Sequence, residues 1–414
     1  MMKRGHFRKS MWMLKSCRTP TNSMPMIIDL FTSFPYMAML NNDTTNLVSK
    51  LQIKALQSAG PTMVTDPRLT RRVFVTDPIG SGIFQRSFNV ILCYHKGMEE
   101  VSGWLVAGWM KESLGIALIQ QPILCGRLKR GEDGEDDHGD LRIVASDSGM
   151  RLLEAQVPMT LQEFLDSKDK RDYEHKLVFW KDIDEQHPQF CPLFYVQVTN
   201  FECGGYSIGI SCSILLADIL IMGNFLKTWA TFHNALVLEN GVAKEPMFYF
   251  PKYKNGESIP INLVTSNQRK NCGQTIIFKS VAENENKENE ARETLAILSV
   301  QKAKHMIGSK MELEFSLFIK ESSEFVMIEN GLKHEMVTLK MNSEYHDQLS
   351  SANWAELEEI VFHEMNITPS HVSYWIGSMD GGIVMKFPSP VNGTEVNMFV
   401  TILNEKQMKK GLDD

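Results

Sequence analysis

The stretch from Phe194 to Ala230 limits the fold more than any other part of this chain. Phe194–Phe201 alternates apolar and polar side chains, the period of two that a strand shows. Cys203-Gly204-Gly205-Tyr206 supplies a turn, and Ser207–Ser213 returns as a second strand. The period then changes. Ile219, Met222, Leu226, Trp229 and Ala230 recur every three or four residues, which predicts a helix from near Asp218. Asp218 is placed to cap that helix, with residues 214–218 forming a short loop before it. Strand, turn, strand, loop and helix in this order predict a mixed α/β protein.

Other segments extend the pattern. An extended segment begins around Lys50–Gly60, and Val73–Val75 and Val90–Tyr94 alternate like strands. Val101, Leu105, Trp109, Leu114 and Leu118 fall at helical spacing until Pro122 ends the element. Leu141–Ser146 and Leu152–Ala155 read as a strand pair behind an acidic, solvated hairpin loop, Glu132–Asp140. A hydrophilic connection at 245–273 is a crossover between two lobes, and Glu283–Glu293 is an acidic solvated patch. Leu295–Val326 is predicted helical, with Leu295, Leu298, Ala303, Ile307, Leu313, Phe315 and Phe318 as core positions. Val372–Ile376, Gly382–Met385 and Val396–Leu403 read as strands, and no internal repeat is present.

Composition narrows the function classes. A net charge of -7 gives no general electrostatic footprint for nucleic acid, which needs clustered Lys and Arg. The seven cysteines form no CxxC pair and have no histidines at metal spacing, so buried free thiols in a reducing compartment are expected and no metal site. The most apolar stretch, Ile208 to Leu226, is broken by Asp218, so no membrane span is expected. Residues 1–49 are expected to be a disordered leader. Their first 28 residues are basic and free of acid, which also fits an organelle transit peptide or a mis-assigned start at Met24 or Met26. The remaining organisation is a lobe over 50–244, the linker at 245–273 and a second lobe over 274–414.

Three pieces of sequence taken together carry a resemblance. Pro192-Leu193-Phe194-Tyr195-Val196-Gln197-Val198-Thr199-Asn200-Phe201 with Cys203-Gly204-Gly205 resembles the strand and turn before the HXXXD motif of the plant BAHD acyl-CoA acyltransferases. Ser213 to Asp218 and Asn224-Phe225-Leu226-Lys227-Thr228-Trp229-Ala230 resemble the motif and the helix after it. Leu114–Leu118 and Pro122-Ile123-Leu124-Cys125-Gly126-Arg127-Leu128 are similar to the segment usually written PLAGRL. The resemblance implies a two-lobed, chloramphenicol-acetyltransferase-like α/β fold, with mixed sheets and helices around a channel and a shortened second lobe. It implies acyl-CoA as co-substrate or ligand, with no resident cofactor.

Acyl transfer to a hydroxyl or amine needs a base within hydrogen-bond reach of the acceptor proton. In the family the motif histidine fills this role, since imidazole titrates near neutrality, and the motif aspartate holds local structure through an ion pair. Here Ile214 stands at the histidine position and Asp218 at the aspartate position. A butyl group has no lone pair. Ile219 replaces the glycine that follows the aspartate, and the positions of the family's second signature, DFGWG, hold His363, Glu364, Met365, Asn366 and Ile367. Between Phe278 and Phe315 the family's aromatic-arginine helix and Gly-Tyr-Phe-Gly-Asn segment are missing, and the chain runs from Glu293 straight into the Leu295 helix.

His363, His371 and His233 are the replacement bases to consider, each with a simpler reading as a structural or surface histidine. Ser211 and Ser213 have no adjacent base to make either a nucleophile. The ending His371-Val372-Ser373-Tyr374-Trp375-Ile376-Gly377 and the shortened lobe resemble the eceriferum wax-biosynthesis subgroup. That resemblance implies a catalytically impaired accessory protein in very-long-chain fatty acid or wax metabolism. Its partner would be a fatty acid elongase condensing enzyme, and it would be a monomer in the cytoplasm or peripheral at the endoplasmic reticulum. The alternatives are an active O- or N-acyltransferase that relies on a non-standard base or on positioning alone, and a small-molecule binding protein.

Overall fold

The computed structural model describes residues 51–75, 77–96, 103–131, 141–222, 224–240, 246, 273–281, 288–308, 314–320, 325–332, 349–352, 354–362, 368–377, 381–388 and 395–402. The expectations for residues 1–49, for the acidic loop and for all but the edges of the 245–273 linker lie outside them, as does His363.

In chain order the first elements are β1 (Gln52–Ala59), β2 (Thr70–Val75), β3 (Ser87–Tyr94) and α1 (Gly103–Gln120). Then come β4 (Arg127–Arg130), β5 (Leu141–Val144), β6 (Met150–Val157), α2 (Leu161–Asp166) and α3 (Lys170–Glu174). The predicted hairpin is β7 (Phe194–Phe201) with β8 (Tyr206–Ser213), followed by α4 (Ala217–Met222) and α5 (Phe225–Asn240). After the linker follow β9 (Gln274–Val281), α6 (Glu288–Ile307), β10 (Phe315–Lys320) and β11 (Phe325–Leu332). The last strands are β12 (Ser350–Ala352), β13 (His371–Gly377), β14 (Gly382–Pro388) and β15 (Glu395–Ile402).

Among the described residues these strands build two mixed sheets. One has six strands in the order β1-β6-β7-β8-β3-β13, the other nine in the order β12-β9-β15-β14-β10-β11-β2-β5-β4. The β7–β8 hairpin is antiparallel, with Phe194 opposite Cys212 and Asn200 opposite Tyr206, and it sits in the middle of the smaller sheet. Both faces of that sheet are covered. Val90, Leu92, Val196, Val198, Ile208 and Ile210 point into the larger core that α1 and α5 help to fill, while Ile91, Cys93, Val157, Phe201 and Trp375 pack with Leu161, Phe164, Leu177 and Val178. At Gly209 the chain passes so close beneath Leu177 that a β-carbon would stand 1.9 Å from the Leu177 carbonyl oxygen, so only glycine fits there.

Sheet membership does not follow the division into 50–244 and 274–414. Strands β2, β4 and β5 of the first segment belong to the nine-stranded sheet, and β13 of the second segment is the outer strand of the six-stranded one, paired with β3. Each segment lends strands to the other.

Three local expectations are corrected. The strands at 141–146 and 152–155 do not pair with each other. β5 pairs with β4 and β2, and β6 pairs with β1 and β7, so the acidic loop joins β4 to β5 instead. The helix predicted over 295–326 runs from Glu288 to Ile307, closes at Gly308 with φ +73, and gives way to β10 and β11. Phe315 and Phe318 are therefore strand residues. β10 lies between β11 and β14 and is buried along nearly its whole length, so its apolar run shows no alternation to tell strand from helix. Finally, residues 214–216 form a 3-10 turn capped by Ser213 that leads directly into α4, and Asp218 lies inside the first turn of α4 with its carboxylate bound to Arg71.

Candidate functional site

β8 delivers the chain to the motif turn. Ser213 N–H donates to the Leu193 carbonyl at 2.8 Å, and Ile214 N–H donates to the Arg86 carbonyl at 3.2 Å, so both residues are fixed by their backbones. The Ser213 hydroxyl accepts from Leu215 N–H at 3.4 Å and caps the 3-10 turn. Ile214, Leu215, Leu216 and Ala217 are fully buried in the large core. At position 214 the sequence therefore puts a hydrocarbon on a rigid turn at the end of a central strand.

Four residues on, Asp218 meets the nine-stranded sheet. Its two oxygens accept a bidentate pair of hydrogen bonds from Arg71 on β2, both 2.8 Å, and Lys320 on β10 stands 3.1 Å from Oδ2. Arg71 also donates to the Leu215 carbonyl at 3.3 Å, so one guanidinium holds both ends of the turn. The Arg71 and Asp218 side chains are 2% and 1% exposed, whereas Lys320 is 21% exposed. Planar forks of this kind are the strong form of ion pair. Next to the turn, Arg86 on the approach to β3 donates to the Ser316 hydroxyl on β10 at 3.0 Å. The turn is thus tied to β2 and β10 by side chains from both.

The nucleophile candidates are engaged otherwise. Ser211 Oγ donates to Asn89 Oδ1 at 2.7 Å inside the sheet, and Ser213 is the cap described above. Cys212 is buried between them, and burial, followed by the Asp218 charge, pushes its thiol well above the ordinary range, which disfavours a thiolate.

The histidines lie elsewhere. His371 opens β13 opposite Cys93, at the far end of β3 from Ser87, and Ser87 pairs with Ser213. Six residues of strand separate the two ends, about 20 Å at roughly 3.3 Å per residue. There His371 Nε2 donates to Glu174 Oε1 at 2.8 Å, and Ser373 Oγ donates to Glu174 Oε2 at 3.0 Å. His233 is buried where α5 packs on α1, with Nδ1 3.2 Å from Ser113 Oγ, a hydroxyl that also accepts the Trp229 indole N–H at 2.9 Å. The structure brings Ile214 and Asp218 together and places His371 and His233 in two other clusters.

Residue-by-residue reading of the sequence missed Arg71, Lys320 and Glu174. Arg71 left a signal, since Arg71 and Val73 share the inward face of β2. A charge on the apolar side of an alternating strand asks for a buried partner.

Comparison with known proteins adds three findings. The model of the Transferase family matches residues 82–310. Protein ECERIFERUM 26-like of Arabidopsis thaliana is 30% identical over 121 residues, which cover 29% of this chain and 27% of that protein. Taxadien-5-alpha-ol O-acetyltransferase of Taxus chinensis is 29% identical over 189 residues, 45% of this chain and 40% of that enzyme. The matched segments thus span well under half the length of these curated relatives. Among solved structures, vinorine synthase overlays with a TM-score of 0.44 at 12% identity, covering 87% of this chain and 96% of that one.

Proposed function

Because the chain belongs to the Transferase family, the BAHD acyltransferases, and carries a buried hydrocarbon at position 214, we propose that it has kept the acyltransferase scaffold without the family's base-catalysed turnover. Its ancestry is acyl transfer. In this reading it binds an acyl-CoA or a related acyl ligand and acts as an accessory protein. The setting is very-long-chain fatty acid or wax metabolism, beside a fatty acid elongase condensing enzyme, in the cytoplasm or at the surface of the endoplasmic reticulum. The likeness to an ECERIFERUM protein supports that setting.

The observation that carries the reading is Ile214. Its backbone is pinned to Arg86, its side chain is sealed in the core, and it has no atom that accepts a proton. Loss of a positioned general base removes about 10²–10⁴ in rate. His371 does not replace it, being held by Glu174 about 20 Å along the strand direction. The His233 ring sits against Ser113 and Phe362 where α5 packs on α1. The second reading is residual turnover through positioning alone, which supplies several kcal/mol when reactants are held well. The longer match to an O-acetyltransferase supports it.

One assay separates the two. The purified chain and its Ile214→His variant are incubated with a panel of acyl-CoAs and phenolic, aliphatic and amine acceptors. The expected outcome is no turnover above background for the parent and a gain of about a hundredfold or more for the variant. Parent turnover equal to that of the variant would overturn the accessory reading. Silence in both, together with co-purification of an elongase condensing enzyme, would strengthen it.

A further inference from the structure

Strand β2 has two unlike faces. On one, Arg71 and Val73 are buried, and Arg71 reaches the motif turn. On the other, Thr70, Arg72 and Phe74 are exposed, and the register carries that outward face across the neighbouring strands. Arg72 lies opposite Arg142 on β5, and Arg142 lies opposite Lys129 on β4. Leu141, Ile143 and Leu128 are the buried members of those strands, so Arg142 and Lys129 share the outward side. Adjacent strands lie about 4.8 Å apart, which puts the three cations in one row about 10 Å long. On the other flank, Phe325 and Met327 of β11 lie opposite Arg72 and Phe74, both half-buried.

Further along the same sheet, α6 packs on β14 and β15, and Lys304 of that helix stands 5.7 Å over the Phe315 ring on β10. The part around β2 is open instead, with Phe74 52% exposed. The loops at both ends of β2 add apolar surface. Met63, Val64 and Leu69 before it and Ile79 after it are each more than half exposed. Glu329, half-buried on β11, borders the patch beyond Met327. Large apolar side chains left in water beside aligned cations make an interaction surface of the kind that lies on a lipid interface. The whole chain carries a charge of -7, so attraction to an anionic surface has to come from a local cluster. An open sheet face suits a plane of charges better than a small anion, which needs enclosing.

We propose that the outward face of β2, β5 and β4 docks on an anionic lipid bilayer, with Arg72, Arg142 and Lys129 on the headgroup phosphates and Phe74 in the interfacial layer. Each cation near such a surface is worth about a fivefold gain in partitioning, and the aromatic ring adds apolar burial that salt does not screen. Lipid binding by this face needs neither acyl-CoA nor a partner protein, so its failure and the failure of the accessory reading are separate results.

Flotation of the full chain with vesicles of phosphatidylcholine, alone or with about one-third phosphatidylserine, tests this. The parent is expected to float with the anionic vesicles, far less with the neutral ones, and to be released as salt is raised. Lys129→Gln should weaken binding about fivefold, and the triple variant with Arg72→Gln and Arg142→Gln about a hundredfold. Phe74→Ser should weaken it about tenfold through lost apolar burial. Lys129 and Phe74 are exposed, so the melting temperatures of these two single variants should match the parent and keep the test readable if the triple variant is unstable. Poly-L-glutamate, an anion without an acyl layer, is titrated in parallel. Absence of the parent from the anionic vesicles would overturn the proposal, as would equal flotation of parent, Lys129→Gln and Phe74→Ser. So would poly-L-glutamate binding that these variants weaken while no vesicle binds, a result that assigns the face to an acidic protein.

Discussion

Asp218 at the motif turn and Glu154 in the middle of β6 are both carboxyls shut away from water, and the protein treats them in opposite ways. Asp218 receives three charged donors, two from Arg71 and one from Lys320. Glu154 is 4% exposed, and its Oε1 has no hydrogen-bond partner. Burial without a counter-charge pushes the Glu154 carboxyl up to about 8. One carboxyl is clamped by two cations, the other has an oxygen without any partner. The difference teaches that the clamp is a feature of the scaffold that needs no histidine at the start of the turn, because it stands complete beside Ile214.

The largest effect is expected at the clamp. Asp218→Leu leaves the Arg71 guanidinium buried without a carboxylate, and breaking a buried pair in this way costs about 3–5 kcal/mol. The double variant Arg71→Met, Asp218→Leu removes both charges and should lose less than the single one, since buried pairs are often replaceable by apolar residues at little cost. Urea unfolding of parent, both singles and the double gives the coupling energy. If the double loss equals the sum of the singles, the clamp is not a unit and the contrast with Glu154 dissolves.

Legibility of the fold followed the same divide between paired and unpaired environments. The β7–β8 hairpin, α1 and the three last strands were readable because their neighbours in sequence supply the pattern: alternation for strands, three-and-four spacing for helices. β10 was misread because a strand covered on both faces in the middle of nine has no polar side to reveal it. Ile214 and Asp218 were legible through motif spacing. Arg71 was readable in principle from its inward position on β2. The pairing of Glu174 with His371 was not, because 197 residues separate partners that only the docking of β13 on β3 brings together. Local pattern carries local structure, and contacts made by a strand exchanged between segments leave no local trace.

The second effect concerns pH and belongs to Glu154. An unfolded glutamate loses its proton near 4.3, while the folded one keeps it until about 8. Between these values the folded state binds the extra proton, so stability falls as pH rises, by about 1.4 kcal/mol per unit at most, and levels off above the folded value. Glu154→Gln removes the titration and keeps the shape. Unfolding midpoints measured from pH 5 to 9 should separate progressively in favour of the variant, with the curves meeting at the acid end. Parallel curves would mean that Glu154 finds a counter-charge in solution and is no longer the unpaired member of the comparison.

The smallest effect should come from Lys320. Its ammonium group approaches an oxygen that Arg71 already holds, and a fifth of its side chain is open to solvent. β11 separates its strand from that of Arg71, so the two cations reach Asp218 from either side of an intervening strand. A second, partly solvated cation on a neutralised carboxylate is worth about 1 kcal/mol or less, and added salt should screen it. Lys320→Met keeps the length of the stem and removes the charge. The expected loss is small at low ionic strength and vanishes near 1 M salt, where the Debye length is about 3 Å, while the cost of Asp218→Leu persists. A salt-insensitive loss as large as that at Asp218 would make Lys320 an equal partner in the clamp, and the motif turn would then depend on β10 as much as on β2.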